Sequence, residues 1–176
     1  LFSSQFESDV NEIVREPNGN ANYDISSNEV TRKDSQGSSV VEERIRSTRL
    51  FEVAKEHGLT EEKLQVPESI FTANRETAAM FLNALFSADG SVQGSKEKGY
   101  SIRLGTTSLG LAHDVQELLS NFGIYSTVYE ERSEAGLTEM PDGKGGTKSY
   151  ETKALHEVAI TSVDMVKFNE EIGFVH

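Results

Sequence analysis

The sequence predicts an α+β fold, with helices on one face of antiparallel sheets and the order αββαββα used twice, the first copy being truncated. Three observations predict it. Apolar residues recur at helical spacing in some stretches and alternate strictly in others. Glycines and turn formers punctuate the boundaries between them. One supersecondary unit also occurs twice: "DVNEIV" (9–14) matches "DVQELL" (114–119) in chemical type, Asp9 with Asp114 and Val10 with Val115, at an offset of 105 residues. "STRLFEVAKEHGL" (47–59) answers "SVDMVKFNEEIGF" (162–174) at an offset of 115, with Ser47 and Ser162 standing equally far before Gly58 and Gly173. The Gly-rich stretch "SEAGLTEMPDGKGGTKSY" (133–150) reads as a longer loop in the second copy that absorbs the difference.

Taken in order, residues 1–58 supply a helix ("FESDVNEIVRE"), two strands ("NYDISSNEV", "SVVEERIRS") and a helix. This is the remainder of a first half; by the repeat, its opening helix and hairpin belong upstream of Leu1, and a start at leucine agrees with a piece of a longer chain. Residues 59–73 read as a linker and 74–176 as a complete second half. There Asn74 is the expected N-cap, Glu76 lies in the first turn, and Gly90 stops the helix after Asp89. A short strand around Ser91–Gln93 pairs with "YSIRLGTT", whose Ile102 and Leu104 point one way and Ser101 and Arg103 the other. The helix "SLGLAHDVQELLSNFG" follows. "IYSTVYEER" then alternates, Ile124, Ser126 and Val128 against Tyr125, Thr127 and Tyr129. "ALHEVAIT" is the last strand and "SVDMVKFNEEIG" the last helix, with Ser162 as its N-cap.

Composition narrows the class. At 176 residues and 36% hydrophobic content the chain can bury a core as one domain or two small ones. No apolar run approaches the roughly 18 residues of a membrane span, and no signal-peptide layout opens the chain, so no membrane partner is expected and a cytoplasmic location fits. The lack of cysteine excludes disulfides, zinc thiolates and thiol catalysis. A net charge of −12 argues alone against a polyanionic partner, but acids concentrate in the helical segments while Lys96, Lys98, Arg103, Arg132, Lys144, Lys148 and Lys153 lie in strands and loops. The "GKGGT" stretch lacks the spacing of a Walker A loop, and the four histidines show no metal spacing. His57, at the repeat position of Ile172, is expected to pack or cap.

Asp89 stands out because an acid in the last turn faces the negative end of the helix dipole, a cost of a few tenths to ~1 kcal/mol. As an isolated turn signal Asp-Gly would mean little. Ala84 and Ala88, however, are small enough to admit a second helix closely, and two such helices would bring two carboxylates together as a site for a hard divalent cation.

"LNALFSADG" (82–90) resembles the LAGLIDADG motif of homing endonucleases, whose fold is the αββαββα repeat. The segments 66–92, 100–133 and 141–174 resemble endonuclease domains lodged within inteins, most of all those of ribonucleotide reductases. The chain departs from the motif in having Ser87 for its usual first acid and Ala84 for its usual glycine.

The resemblance implies two sheets forming a saddle over double-stranded DNA and a site-specific, Mg²⁺-dependent double-strand cut. It makes Asp89 the catalytic acid and metal ligand, with a backbone carbonyl at Gly90 beside it, and Lys148 or Lys153 the assisting lysine. Ser101, Arg103, Tyr125, Thr127 and Tyr129 should then face the DNA by parity, while Lys96, Lys98, Arg132 and Lys144 position its backbone. It further implies a splicing domain or host protein in the same precursor, and a monomer with pseudo-two-fold symmetry when intact. With one motif helix, the 176 residues alone should not cleave. Two other readings stand beside this one: a degenerate domain of the same fold that binds DNA or is structural without cleaving, and a domain that contacts no DNA.

Overall fold

The computed structural model of the chain describes residues 8–12, 25, 27–33, 37–45, 47–59, 65–141, 143 and 145–175. It divides into two compact units, Leu1–Glu61 and Glu62–His176. Among the described residues no helix is long and apolar enough to cross a membrane.

The first unit holds helical residues 8–12 (α1), the antiparallel strands β1 (Ser27–Lys33) and β2 (Ser39–Ile45), and helix α2 (Thr48–Glu56). Val10 and Ile25 are buried together, with Leu50 packed against them. Asn11 fixes the approach to β1, its Oδ1 accepting the Ile25 N–H at 2.6 Å. Ser47 caps α2 by accepting the Leu50 N–H at 3.0 Å, and Gly58 leaves it at φ +70°, the left-handed turn that favours glycine. His57 is exposed at that cap.

The second unit carries a four-stranded antiparallel sheet in the order β3-β4-β8-β5, from β3 (Gly90–Ser95), β4 (Gly99–Thr106), β5 (Thr127–Ser133) and β8 (Leu155–Thr161). Its helices are the short α3 (Glu68–Phe71), α4 (Arg75–Asp89), α5 (Leu109–Asn121) and α6 (Val163–Glu171). One core joins α4, α5 and α6 to a single sheet face, and Leu82, Phe86, Val115, Leu119, Val158, Ile160 and Phe168 are wholly sealed within it. Phe168 meets Phe86 edge-on at 4.8 Å and Phe174 at 5.4 Å, which locks α6 and its tail against α4. Asn83 Nδ2 donates to the Ile172 carbonyl at 2.9 Å, and Ser87 Oγ accepts the Val175 N–H at 2.8 Å. Ser87, one of the two departures from the motif, thus holds the C-terminal segment to the motif helix.

The repeat is visible in packing and in clamps. Val115 is buried as Val10 is. Gln116, the repeat counterpart of Asn11, donates from Nε2 to the Ser126 carbonyl at 2.9 Å just before β5. Gly173 leaves α6 at φ +69°, as Gly58 leaves α2.

Two expectations about elements need correction, and a third is met in a different conformation. The stretch 133–150 is no open loop: it builds the hairpin of β6 (Gly136–Pro141) and β7 (Thr147–Thr152), a sheet of its own. Every residue described on it is exposed or half-buried, so no core periodicity marked the strands in advance. Ser162 occupies the cap position of α6 without capping it; its φ is +54° and its side chain makes no cap bond. Gly90 ends α4 after Asp89 as expected, in an extended conformation at φ −87°, ψ 166° and not a left-handed one. It is glycine because a Cβ there would overlap the carbonyl of Phe86.

Candidate functional site

Strand pairing defines the sheet face turned away from the helices. One row runs Ser91, Arg103, Ala159, Thr127; a second runs Gln93, Ser101, Thr161; a third runs Gly105, Glu157, Tyr129. The intervening row, Gly90, Leu104, Val158, Val128, points into the core. Asp89 precedes Gly90 directly, so its carboxylate lies at the strand end where the third row begins.

Arg103 is the centre of this face. Its Nε donates to Ser101 Oγ at 2.8 Å and its Nη1 to Glu157 Oε1 at 2.9 Å. Glu157 Oε1 also lies 3.7 Å from Arg132 Nε, and the Arg132 guanidinium stands 5.4 Å from the centre of the Tyr129 ring. Side-chain exposure falls from 51% at Arg132 through 26% at Arg103 to 11% at Glu157, so the acid is set beneath two cations.

Arg132 reaches this face through a backbone irregularity. Simple alternation would send Tyr129 and Arg132 to opposite faces, but the β5–β8 register shifts between Tyr129 and Ser133, and Glu131 adopts φ +48°. Such a bulge re-aims a side chain. The buried His156 holds it, with Nδ1 accepting the Glu131 N–H at 3.1 Å. Glu130 is left on the helix side, 3.7 Å from His113 on α5.

The expected interface residues divide accordingly. Arg103, Thr127, Tyr129 and Arg132 share the open face. Ser101 shares it too, but only 6% of it is exposed: its hydroxyl donates to the Gln93 carbonyl while accepting from Arg103, so it is a brace and not a reader. Tyr125 is off the sheet. It precedes β5, its N–H donates to Asp164 Oδ1 at 3.0 Å, and it lines a groove of about 510 Å³ with His113, Gln116, Glu117 and Ser120 of α5. Parity misplaced it because the strand starts at Thr127. Lys96 and Lys98 are exposed in the β3–β4 turn. Glu97 sits between them, its carboxyl held below the ordinary range by hydrogen bonds from Ser95 and its own backbone. Lys144 lies outside the described residues.

The two candidate lysines are not equivalent. Lys148 is on β7, its Nζ 5.7 Å from the centre of the Tyr150 ring. Lys153 is exposed at the junction of β7 and β8, close in sequence to the Leu155 end of the sheet. Sequence reasoning overlooked Glu157, although "ALHEVAIT" alternates it against Val158; it also overlooked Gln93, Ala159 and Thr161.

Asp89 ends α4 in an exposed position, and the α4 face bearing Met80, Ala84 and Ala88 is exposed. Among the described residues no group of three or more acids or histidines could hold a metal ion. Asp89 is a suitable hard oxygen donor for a divalent cation, but one carboxylate is not a complete site.

A family model for the LAGLIDADG-like domain matches residues 76–173, and the chain belongs to that family. The fold matches that of LAGLIDADG homing endonucleases: the chain is similar to I-DmoI in complex with DNA and Mn, with a TM-score of 0.54 at 18% identity, covering 100% of this chain and 76% of that one. The alpha subunit of the NrdEB ribonucleoside-diphosphate reductase of Bacillus subtilis (strain 168) is 42% identical over 116 residues, 65% of this chain and 11% of the reductase. The DNA gyrase of Mycobacterium kansasii is, in its A-type polypeptide, 30% identical over 118 residues, 61% of this chain and 21% of the gyrase polypeptide. The chain therefore spans only a small part of the length of the curated relatives it matches.

Proposed function

We propose that the open face of the four-stranded sheet binds duplex DNA, and that the chain is the endonuclease domain of an intein that makes a site-specific, Mg²⁺-dependent double-strand cut when a second acid-bearing helix joins Asp89. The two LAGLIDADG halves are residues 1–58 and 74–176, joined by 59–73. The carrying observation is the gathering of Arg103, Arg132, Thr127 and Tyr129 on one sheet face beside the strand end of Asp89. Guanidinium, hydroxyl and phenol groups on a strand surface are what base edges and phosphates require. Within the second unit α4, α5 and α6, which pack on the other face of the sheet, carry more acids than bases.

An inserted domain accounts for similarity to short parts of a reductase and a gyrase, whose chemistries have nothing in common. The solved relative's complex with DNA and Mn supports both partner and metal class. Asp89, with the carbonyl at Gly90 beside it, would supply one side of the metal site; the other acid must come from a second motif helix, so no hydrolytic step is assigned to this chain's residues alone. Of the two lysines, Lys153 is the candidate to assist, being nearer in the fold to the Asp89 end. The intact molecule is then a pseudo-symmetric monomer within a larger precursor.

The single carboxylate also favours a second reading, in which the fold binds DNA without cutting it. Binding and cutting separate the two. Arg132→Ala should weaken binding to a mixed-sequence duplex and lower the salt slope by about one, whereas Glu117→Gln on the outer side of α5 should change neither. Equal effects at both positions would refute the interface. Binding by the intact precursor that never becomes cleavage in Mg²⁺ would select the second reading.

A further inference from the structure

We propose that Glu157 is a positioning residue for base readout: it holds Arg103 in a pose matched to guanine and thereby exchanges general DNA affinity for sequence preference. This rests on the DNA-binding reading above.

A carboxylate at the centre of a surface that meets phosphates opposes binding, yet Glu157 stands there, nine-tenths buried and ion-paired to Arg103 at 2.9 Å and to Arg132 at 3.7 Å. Its place is not dictated by the core. Its strand neighbours Val158 and Ile160 fill the interior, while its own row, Gly105 and Tyr129, faces outward.

What Glu157 does is visible in the donors of Arg103. A guanidinium has five N–H groups in a fixed plane. Nε is taken by Ser101 and one Nη1 hydrogen by Glu157, so the plane is pinned at two points, and Ser101 is itself pinned by the Gln93 carbonyl. The two Nη2 hydrogens and one on Nη1 remain for a ligand. A pinned, planar pair of donors suits the O6 and N7 acceptors of guanine in the major groove, whereas a loose arginine follows the nearest phosphate. Pinning beforehand also spares the side-chain entropy lost on binding. Glu157 lies two strands from β3, about 10 Å across the sheet, so the base pair it governs is close to the Asp89 end.

The test uses the whole chain and a duplex pool with a randomised centre, bound and re-selected at low salt. The wild type should enrich a guanine at one fixed position. Glu157→Gln removes the charge and keeps the shape: affinity for the unselected pool should rise about two-fold or more, while preference for that guanine should fall about five-fold or more. Ser101→Ala removes the other brace without changing charge; the preference should fall by a larger factor than the pool affinity does, and this variant decides the matter if Glu157→Gln does not fold. Opposite movement of affinity and preference is not what a merely structural acid produces. Parallel loss of both in Glu157→Gln, retention of the guanine preference in either variant, or absence of any guanine preference in the wild type would overturn the proposal while leaving the interface standing. No binding of the wild type to any duplex would overturn the interface itself and this proposal with it.

Discussion

The backbone N–H of Gly90 donates to the carbonyl of Phe86, and that carbonyl occupies the space a side chain at position 90 would need. The Asp89–Gly90 step is therefore a close-packed exit from α4 directly into β3, and it sets where the Asp89 carboxylate emerges. Gly90→Ala has an allowed φ but must push the strand from the helix. It should cost about 1–3 kcal/mol in thermal or denaturant unfolding of the second unit. An unchanged midpoint would mean that the contact relaxes freely.

Asp89→Asn separates chemistry from fold. In the intact precursor it should abolish Mg²⁺-dependent cleavage with DNA affinity held within a few-fold. Stability should be unchanged or higher by a few tenths to ~1 kcal/mol, because a negative charge leaves the C-terminal end of a helix. Comparing melting curves and cleavage of the two proteins checks both; a large loss of stability would make Asp89 a structural residue.

Phe168 joins α6 to α4 and to the C-terminal tail through its contacts with Phe86 and Phe174 and is wholly buried. Phe168→Ala should cost about 3–5 kcal/mol. Denaturant unfolding of the second unit measures it. A loss under ~1 kcal/mol would show that α6 is dispensable to the core.

Most of the second half was legible in the sequence because core and period coincide there. Asn74 caps α4 as its position before the apolar run demands, its Oδ1 accepting the Thr77 N–H at 2.8 Å, and Ile102 and Leu104 alternate into the core. The hairpin β6–β7 was not legible: exposed on both faces, it carries no burial alternation. Nor was the face of Arg132, which depends on a left-handed Glu131 that only the His156 partnership accounts for. Ser101 was on the correct side but hidden, since parity gives a direction and not the depth at which neighbours cover it.

That bulge makes its own prediction. His156→Ala removes the acceptor of the Glu131 N–H and should release Arg132 from the open face. Its effect on DNA affinity should not add to that of Arg132→Ala, because both remove one contact. A double-mutant cycle of binding free energies checks this; full additivity would separate His156 from the interface.

We propose that DNA lies on the sheet and not on the helices. Backbone amide shifts of the isotope-labelled chain, titrated at low salt with a mixed-sequence duplex, test it most directly. Shifts should concentrate at Gln93, Arg103, Thr127, Tyr129, Glu157 and Thr161, with His113, Gln116 and Glu117 on α5 unmoved. Shifts centred on α5, with the sheet rows unaffected, would contradict it.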